Sequence, residues 1–475
     1  MTVKTKERPF GLRDKLGYLF GDFGNDFTFI LSTMILSKFY TDVMGVSPGT
    51  VGTVMMAARF VDAVTDVTMG RICDRSRTTP AGKFKPWILR MCIPVAAASF
   101  LMYQSSFAGW NYNLKVAYLV VTYILWGSFF YTSINIPYGS MASAISEEPG
   151  DRQSLSTFRT MGGTLAGLVI GVCLPVFAYR KNTLPDGTVQ EQLIGSNVTL
   201  IAGIFAVLSV LCYLLCYYLV TERVVVEGER GNAAKHSVAQ MFKNALKNRA
   251  LISIIVASVF MLLAQLTMQN MGSYIYPDYY NNAGAQGLST IVMMIGMVIA
   301  SAVSKPLARR FGKAEVSVVS NLFAAGVCVL TFLLRPSNVW VYIGLQALNW
   351  LGLGIFSMVS WALITDVIDY SELKNGVRED GGVYALYSFS RKLGQAFAAG
   401  LSGWLLQLIG YNTQAIEQGV SQTESVKAGI FNISTLVPAV GFGLLALVLW
   451  FWYPLHKKQV DANVAALKMK HNKEH

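Results

Sequence analysis

Twelve separate stretches of this 475-residue chain are each long and apolar enough to cross a lipid bilayer. That feature constrains the fold more than any other. A helix crossing the hydrocarbon core needs about 20 apolar residues, and backbone in lipid must satisfy its own hydrogen bonds. The predicted spans are residues 16–42, 47–72, 85–106, 114–143, 154–179, 197–220, 250–276, 286–308, 314–334, 338–366, 381–410 and 426–453. Only 14% of the residues are charged, against roughly 25% in a soluble domain. This argues against a soluble enzyme, a disordered chain and a secreted disulfide scaffold.

The remaining charge orients the spans. The net charge is +12, and Lys and Arg crowd into alternate connectors. One set comprises the N-terminus (Lys4, Lys6, Arg8, Arg13, Lys15), the second-to-third loop (Arg71, Arg75, Arg77, Lys83, Lys85), the middle linker, the eighth-to-ninth loop (Lys305, Arg309, Arg310, Lys313) and the tail. The opposite set holds little beyond Lys115, Arg180, Lys181, Arg335 and Lys427. By the positive-inside rule the first set faces the cytoplasm of a plasma membrane. Both termini then lie inside, as an even number of spans requires. The basic charge is loop charge, so nucleic acid is not an expected partner. The first apolar run contains carboxylates and exceeds a signal-peptide core, so it reads as a retained span.

The expected organisation is a cytoplasmic N-terminus (1–15), a six-helix bundle (16–220), a polar linker (221–249), a second six-helix bundle (250–454) and a basic tail (455–475). An internal repeat supports it. Gly70 to Arg77, followed by Gly82, Lys83, Lys85 and Pro86, joins the second and third spans; Lys305 to Lys313 joins the eighth and ninth, six spans later. A duplicated bundle of this kind holds its substrate near mid-membrane at the repeat interface. The six cysteines, Cys73, Cys92, Cys173, Cys212, Cys216 and Cys328, lie in or beside apolar runs without a CxxC pair and read as small apolar residues. The four histidines fall in polar loops or the tail. A zinc site or a histidine proton relay is not expected.

Ionisable residues inside spans are costly and point to function. Asp22 and Asp26 share a face of the first span. Arg59, Asp62 and Asp66 sit at i, i+3 and i+7 in the second, with Thr65 beside them. Two stacked carboxylates repel each other and want a proton, a metal cation or a basic neighbour. Carboxylate and hydroxyl oxygens suit a small hard cation. The counter-charge is expected from Arg159 in the fifth span or from Arg391 and Lys392 in the eleventh. Lys392 is the choice. It points about 100° away from Arg391, near the small residues Gly394, Ala398 and Ser402, which let helices approach closely. Asp22, Lys38, Asp42, Arg90 and Arg391 lie near span ends and are expected to snorkel to the interface.

Aromatic and polar residues also converge. The fourth span carries Tyr123, Trp126, Tyr131, Thr132, Asn135 and Tyr138; the tenth Asn349, Trp350, Trp361, Thr365, Asp366, Asp369 and Tyr370; the eleventh Tyr384, Tyr387 and Ser388. Taken singly, such aromatics anchor spans at the lipid interface. Combined with intramembrane Asp, Asn and Arg, they suggest a pocket with apolar walls and a few placed polar groups.

These residues resemble the glycoside–pentoside–hexuronide:cation symporter family of the major facilitator superfamily. The resemblance runs from Gly17 to about Leu455. Its motifs are Gly21-Asp-Phe-Gly-Asn-Asp26, Phe39-Tyr-Thr-Asp42, Ala58-Arg-Phe-Val-Asp62-Ala-Val-Thr-Asp66, Gly82-Lys-Phe-Lys-Pro-Trp87, Asn135-Ile-Pro-Tyr138, Asp366-Val-Ile-Asp369-Tyr-Ser-Glu372 and Gly376-Val-Arg378. It implies an all-α membrane protein of twelve transmembrane helices in two pseudo-symmetric six-helix bundles. It also implies that Asp62, Asp66, Thr65 and Thr132 match the coupling-cation site, with Lys392 as the basic neighbour. Asp26 and Arg159 match sugar-contacting positions, and Trp126 matches an aromatic near that pocket. The melibiose-transporting members have asparagine where this chain has Thr65, aspartate where it has Asn135 and tryptophan where it has Gly139. An α-galactoside specificity therefore does not carry over. Loss of one negative charge at Asn135 suits an acidic sugar as well as a neutral β-glycoside.

The expected function is symport of a sugar with Na⁺ or H⁺ by alternating access, without a further cofactor. Asp26, Asn135, Arg159, Trp126, Tyr387 and Ser388 are the expected sugar contacts. Asp62, Thr65, Asp66, Thr132 and Lys392 are the expected coupling residues, the first four ligating the ion if it is Na⁺. The competing reading is an exporter or antiporter of the same superfamily, with a more apolar cavity. The sugar, the direction of transport and the oligomeric state are not legible in the sequence. No catalytic triad, metal motif or phosphate loop is legible either, so an enzyme is not expected.

Overall fold

The computed structural model describes residues 8–185, 187, 189–224, 248–375 and 380–474. The linker charges from Glu227 to Lys247, the Gly376–Arg378 motif and the Tyr384 side chain lie outside the described residues. Twelve long helices run through the described chain: α1 (Leu12–Lys38, continued as a π-helical turn, Phe39–Val43), α2 (Pro48–Arg75), α3 (Lys85–Leu101), α4 (Tyr112–Ile145), α5 (Pro149–Ala178), α6 (Gly195–Leu219), α7 (Arg249–Tyr279), α8 (Gly284–Phe311), α9 (Lys313–Leu334), α10 (Val339–Asn375), α11 (Asp380–Leu408) and α12 (Glu424–Trp452). A thirteenth, α13 (Lys457–Glu474), follows. Eight of them are long and apolar enough to cross a membrane on length and composition alone. The other four coincide with the predicted first, second, third and eleventh spans. In α1, α2 and α11 the apolar run is broken by charge, and α3 is only 17 residues long.

Side-chain caps start several helices where the sequence supplies a short polar residue. Ser47 caps α2 ahead of Pro48, Asn111 caps α4, Asn248 caps α7 and Thr423 caps α12. Between α5 and α6 the chain forms an antiparallel hairpin, β1 (Tyr179–Thr183) and β2 (Val189–Leu193), with Tyr179 opposite Leu193. It fills most of the gap between the predicted spans 154–179 and 197–220.

The chain divides into two compact units. The first comprises Met1–Gly231, Asn281–Thr290 and Leu406–Gln422; the second comprises Asn232–Tyr280, Ile291–Leu405 and Thr423–His475. In the first, α1 is central. Gly24 and Gly162 make its close approaches possible, since a Cβ at Gly24 would lie 2.9 Å from Cys212 Cβ and one at Gly162 only 2.3 Å from the Leu19 carbonyl oxygen. The second unit is built on an apolar core shared by α7, α9, α10 and α12, including Ile254, Met261, Phe356, Leu363, Phe442 and Leu445. All six cysteines are free thiols and five are buried, in keeping with their reading as apolar filler.

The two basic loops repeat one device with its parts exchanged. In the first unit Gly82 takes φ +116°, and the Glu222 carboxylate, just after α6, accepts the backbone N–H groups of Lys83, Phe84 and Lys85 at 2.7–3.0 Å. Burial pushes the Glu222 carboxyl above its ordinary value despite those donors. In the second unit Gly312 takes φ +104°, and the Glu315 carboxylate, on α9, accepts the backbone N–H of Lys457 at 2.8 Å, just after α12. In each unit the chain leaving the last helix is clasped to the loop between the second and third.

Candidate functional site

The ionisable residues of α1, α2 and α5 converge with the polar face of α4. On α2, Asp62 and Asp66 lie one turn apart, as their spacing requires. Each accepts a hydroxyl from α4: Ser128 Oγ donates to Asp62 Oδ1 at 2.5 Å, and Thr132 Oγ1 donates to Asp66 Oδ1 at 2.8 Å. Ser128 and Thr132 are also four residues apart, so the two helices face each other as two rungs. Leu125–Tyr131 of α4 is π-helical, a local widening that recurs at functional sites. Thr132 has a second acceptor, the Gly127 carbonyl at 3.2 Å. Its single proton can turn there, which frees its lone pairs for a cation. Thr65 directs its proton to the Val61 and Asp62 carbonyls of its own helix, at 3.2 and 3.1 Å, so its lone pairs are available too.

Asp62 has a basic neighbour on its own helix. Arg59, three residues earlier on α2, pairs with Asp62 Oδ2 at 3.2 Å, and its guanidinium lies 5.7 Å from the centre of the Phe29 ring. Arg159 is not the partner of the α2 carboxylates; its Nε donates to Asp22 Oδ1 at 3.0 Å. Asp22 is therefore no snorkelling residue. It is buried, because a salt bridge from α5 receives it. Lys38 and Asp42 are likewise withdrawn from the interface. Lys38 Nζ bonds Asp42 Oδ2 at 2.8 Å and Tyr411 OH at 2.6 Å, and Tyr411 OH donates to Asp42 Oδ1 at 2.8 Å, all within the first unit.

Around Asp22 and Asp26 the walls are aromatic. The Arg159 guanidinium lies 5.2 Å from the centre of the Tyr138 ring, which stacks on Tyr18 at 4.6 Å. Asn25 donates to Tyr131 OH and accepts from Tyr213 OH. Gly163 of α5 faces both acids: a Cβ there would fall 2.6 Å from Asp26 Oδ2 and 3.0 Å from Asp22 Oδ2. Trp126 is buried between Tyr123 and Tyr131. Its Nε1 and Asn135 Oδ1 are buried without a hydrogen-bond partner among the described residues. Orphaned groups of this kind are costly unless a ligand meets them.

In the second unit, Tyr387 is fully buried and packs edge-on against Trp361 at 5.0 Å, with the Arg391 guanidinium 6.0 Å from both ring centres. Ser388 is exposed and Lys392 half-buried. Lys313 of the second basic loop reaches Asp366 on α10 at 2.6 Å, which gives that motif carboxylate a structural partner. Among the described residues no three His, Cys, Asp or Glu side chains gather into a metal cluster. Ser128 and Arg59 were missed as site members. Both were signalled by spacing, Ser128 as the i,i+4 match to Thr132 and Arg59 as the i,i+3 match to Asp62.

A predominantly helical membrane protein with half-buried carboxylates each bonded to a hydroxyl within one bundle suits a transporter better than an enzyme. A family model described as "MFS/sugar transport protein" matches residues 17–457, and the chain belongs to that family. It is a multi-pass membrane transporter and not an enzyme. It is 31% identical to a glucuronide carrier protein homolog of Escherichia coli (strain K12), over 94% of this chain and 93% of that one. It is 30% identical to a putative 2,3-dihydroxypropane-1-sulfonate exporter of Salmonella typhimurium (strain LT2), over 96% of each. Its fold is also that of the crystal structure of a D-xylose-proton symporter (TM-score 0.61, 13% identity, 93% of this chain and 97% of that one).

Proposed function

We propose that this chain is a sugar:cation symporter of the plasma membrane, with both termini cytoplasmic, that imports a glycoside, pentoside or hexuronide with Na⁺ or H⁺. The observation that carries the reading is the pair of α2 carboxylates, each bonded to a hydroxyl of α4. A cation bound there cancels charge that is expensive in a membrane. It thereby favours the conformation that binds sugar. Such coupling is reciprocal, and bound cation tightens sugar binding by about 1–3 kcal/mol.

Asp62, Asp66, Thr65 and Thr132 hold the cation. Asp26, Arg159, Asn135 and Trp126 meet the sugar: the carboxylate and guanidinium bind hydroxyls, and the orphaned Trp126 Nε1 and Asn135 Oδ1 gain partners. On α11, Lys392 is the second half's candidate for coupling, and Tyr387 and Ser388 its candidates for sugar contact. The family and the glucuronide-carrier relative support this reading. The relative named as an exporter supports a second reading, outward transport of a small polar solute.

The test is uptake by proteoliposomes of a labelled panel of α-galactosides, β-glucuronides, xylosides and pentoses, under imposed Na⁺ or pH gradients. Symport predicts gradient-driven accumulation of at least one sugar. Failure of every sugar favours the exporter.

A further inference from the structure

We propose that Ser128 is a cation-selecting residue of the coupling site, supplying an oxygen to an ion bound at Asp62. The inference rests on the reading of Asp62 and Asp66 as the coupling carboxylates. The two oxygens of Asp62 have different partners. Its Oδ2 is engaged by Arg59 at 3.2 Å, and the Arg59 guanidinium lies 5.7 Å from the Phe29 ring centre. Oδ1 is the oxygen turned away from that guanidinium contact, and Ser128 Oγ lies 2.5 Å from it. The hydroxyl donates its one proton to Oδ1 and keeps its lone pairs for an ion.

The space beside this edge is open. Away from its own stretch of helix, a Cβ built on Gly127 would meet only Asp62 Oδ1 within 4 Å, at 3.7 Å. Ser128 is itself 1% exposed and is held by the π-helical stretch Leu125–Tyr131, so its oxygen is preorganised. With Thr132 on Asp66, each of the two carboxylates has a hydroxyl oxygen beside it, and Thr65 lies between the acids along α2. A proton needs one carboxylate oxygen and no others. A hard monovalent cation uses the whole set. Ser128 therefore acts on the choice of ion, and Na⁺ is the ion this oxygen set fits.

The experiment is direct binding of ²²Na⁺ to the purified full-length chain, with competition by Li⁺, for the wild type, S128A, S128T, D62N and D66N. A site whose ring of oxygens is one short is expected to bind Na⁺ about tenfold more weakly. It is also expected to change its Li⁺ to Na⁺ affinity ratio, whereas S128T keeps the hydroxyl and restores both. The ratio is read on the folded fraction of each variant, with S128C as a second hydroxyl-free variant should S128A not fold. If the hydroxyl merely positions Asp62, both ions weaken equally and the ratio stands still. That result, or unchanged Na⁺ affinity in S128A with binding lost in D66N, overturns the role of Ser128 and leaves the coupling site intact. A wild type that binds no Na⁺ overturns this proposal and leaves H⁺ as the coupling ion, whereas D62N and D66N that bind Na⁺ normally overturn the coupling-site reading and this proposal with it.

Discussion

The two units solve the same membrane problem with unequal amounts of charge. In the second, five of six long helices are apolar enough to span a bilayer on composition alone; in the first, only α4, α5 and α6 are. The difference lies in the charge set into α1 and α2, including Asp22, Asp26, Arg59, Asp62 and Asp66, and in the shortness of α3. Around them Ser128, Thr132, Asn25 and Tyr138 are recruited as partners. The second unit packs a continuous apolar core, and its Asp366 carboxylate anchors Lys313. The coupling carboxylates proposed above belong to this charged unit. The apolar half offers bulk and aromatic surface.

The comparison breaks most sharply at α2. Asp62→Asn or Asp66→Asn is expected to abolish gradient-driven accumulation, a loss of about a hundredfold or more, while downhill exchange survives. Accumulation at the wild-type level in both variants would place coupling elsewhere. A smaller effect is expected at the sugar end. Gly163→Ala pushes a methyl group to 2.6 Å from Asp26 Oδ2, so binding of whichever sugar the uptake panel identifies should weaken about tenfold or more, with ²²Na⁺ affinity retained. Equal loss of both would show that the two ends of the first unit are not separable. The smallest effect on transport belongs to the second unit. Lys313→Met, which strips the buried Asp366 carboxylate of its partner, should lower thermal stability by about 3 kcal/mol and leave the cation dependence of transport untouched. A changed cation dependence would mean that the second half shares the ion chemistry.

The helices were legible because a 20-residue apolar run in a chain with little charge has few alternatives. Asp62 and Asp66 were legible because i,i+4 spacing is a local property. What escaped depends on partners remote in sequence. Asp22 and Lys38 look like snorkelling residues until Arg159, 137 positions away, and Tyr411, 373 positions away, are folded against them. The hairpin escaped because its strands are short, with Arg180, Lys181 and Gln190 interrupting any alternation. Ser128 escaped because its neighbours Trp126, Phe129, Phe130 and Tyr131 read as a lipid-facing aromatic belt, and no periodicity announces a π-helical turn.

The triangle of Lys38, Asp42 and Tyr411 bears on how this protein can be handled. The connector between α11 and α12 carries Tyr411, so it cannot be treated as a disposable loop for an epitope or a fluorescent reporter. An insertion that displaces that tyrosine strips a buried ammonium of one of its partners, and the damage would surface as poor expression of an otherwise competent transporter. Labels are better fused beyond Glu474, where α13 ends.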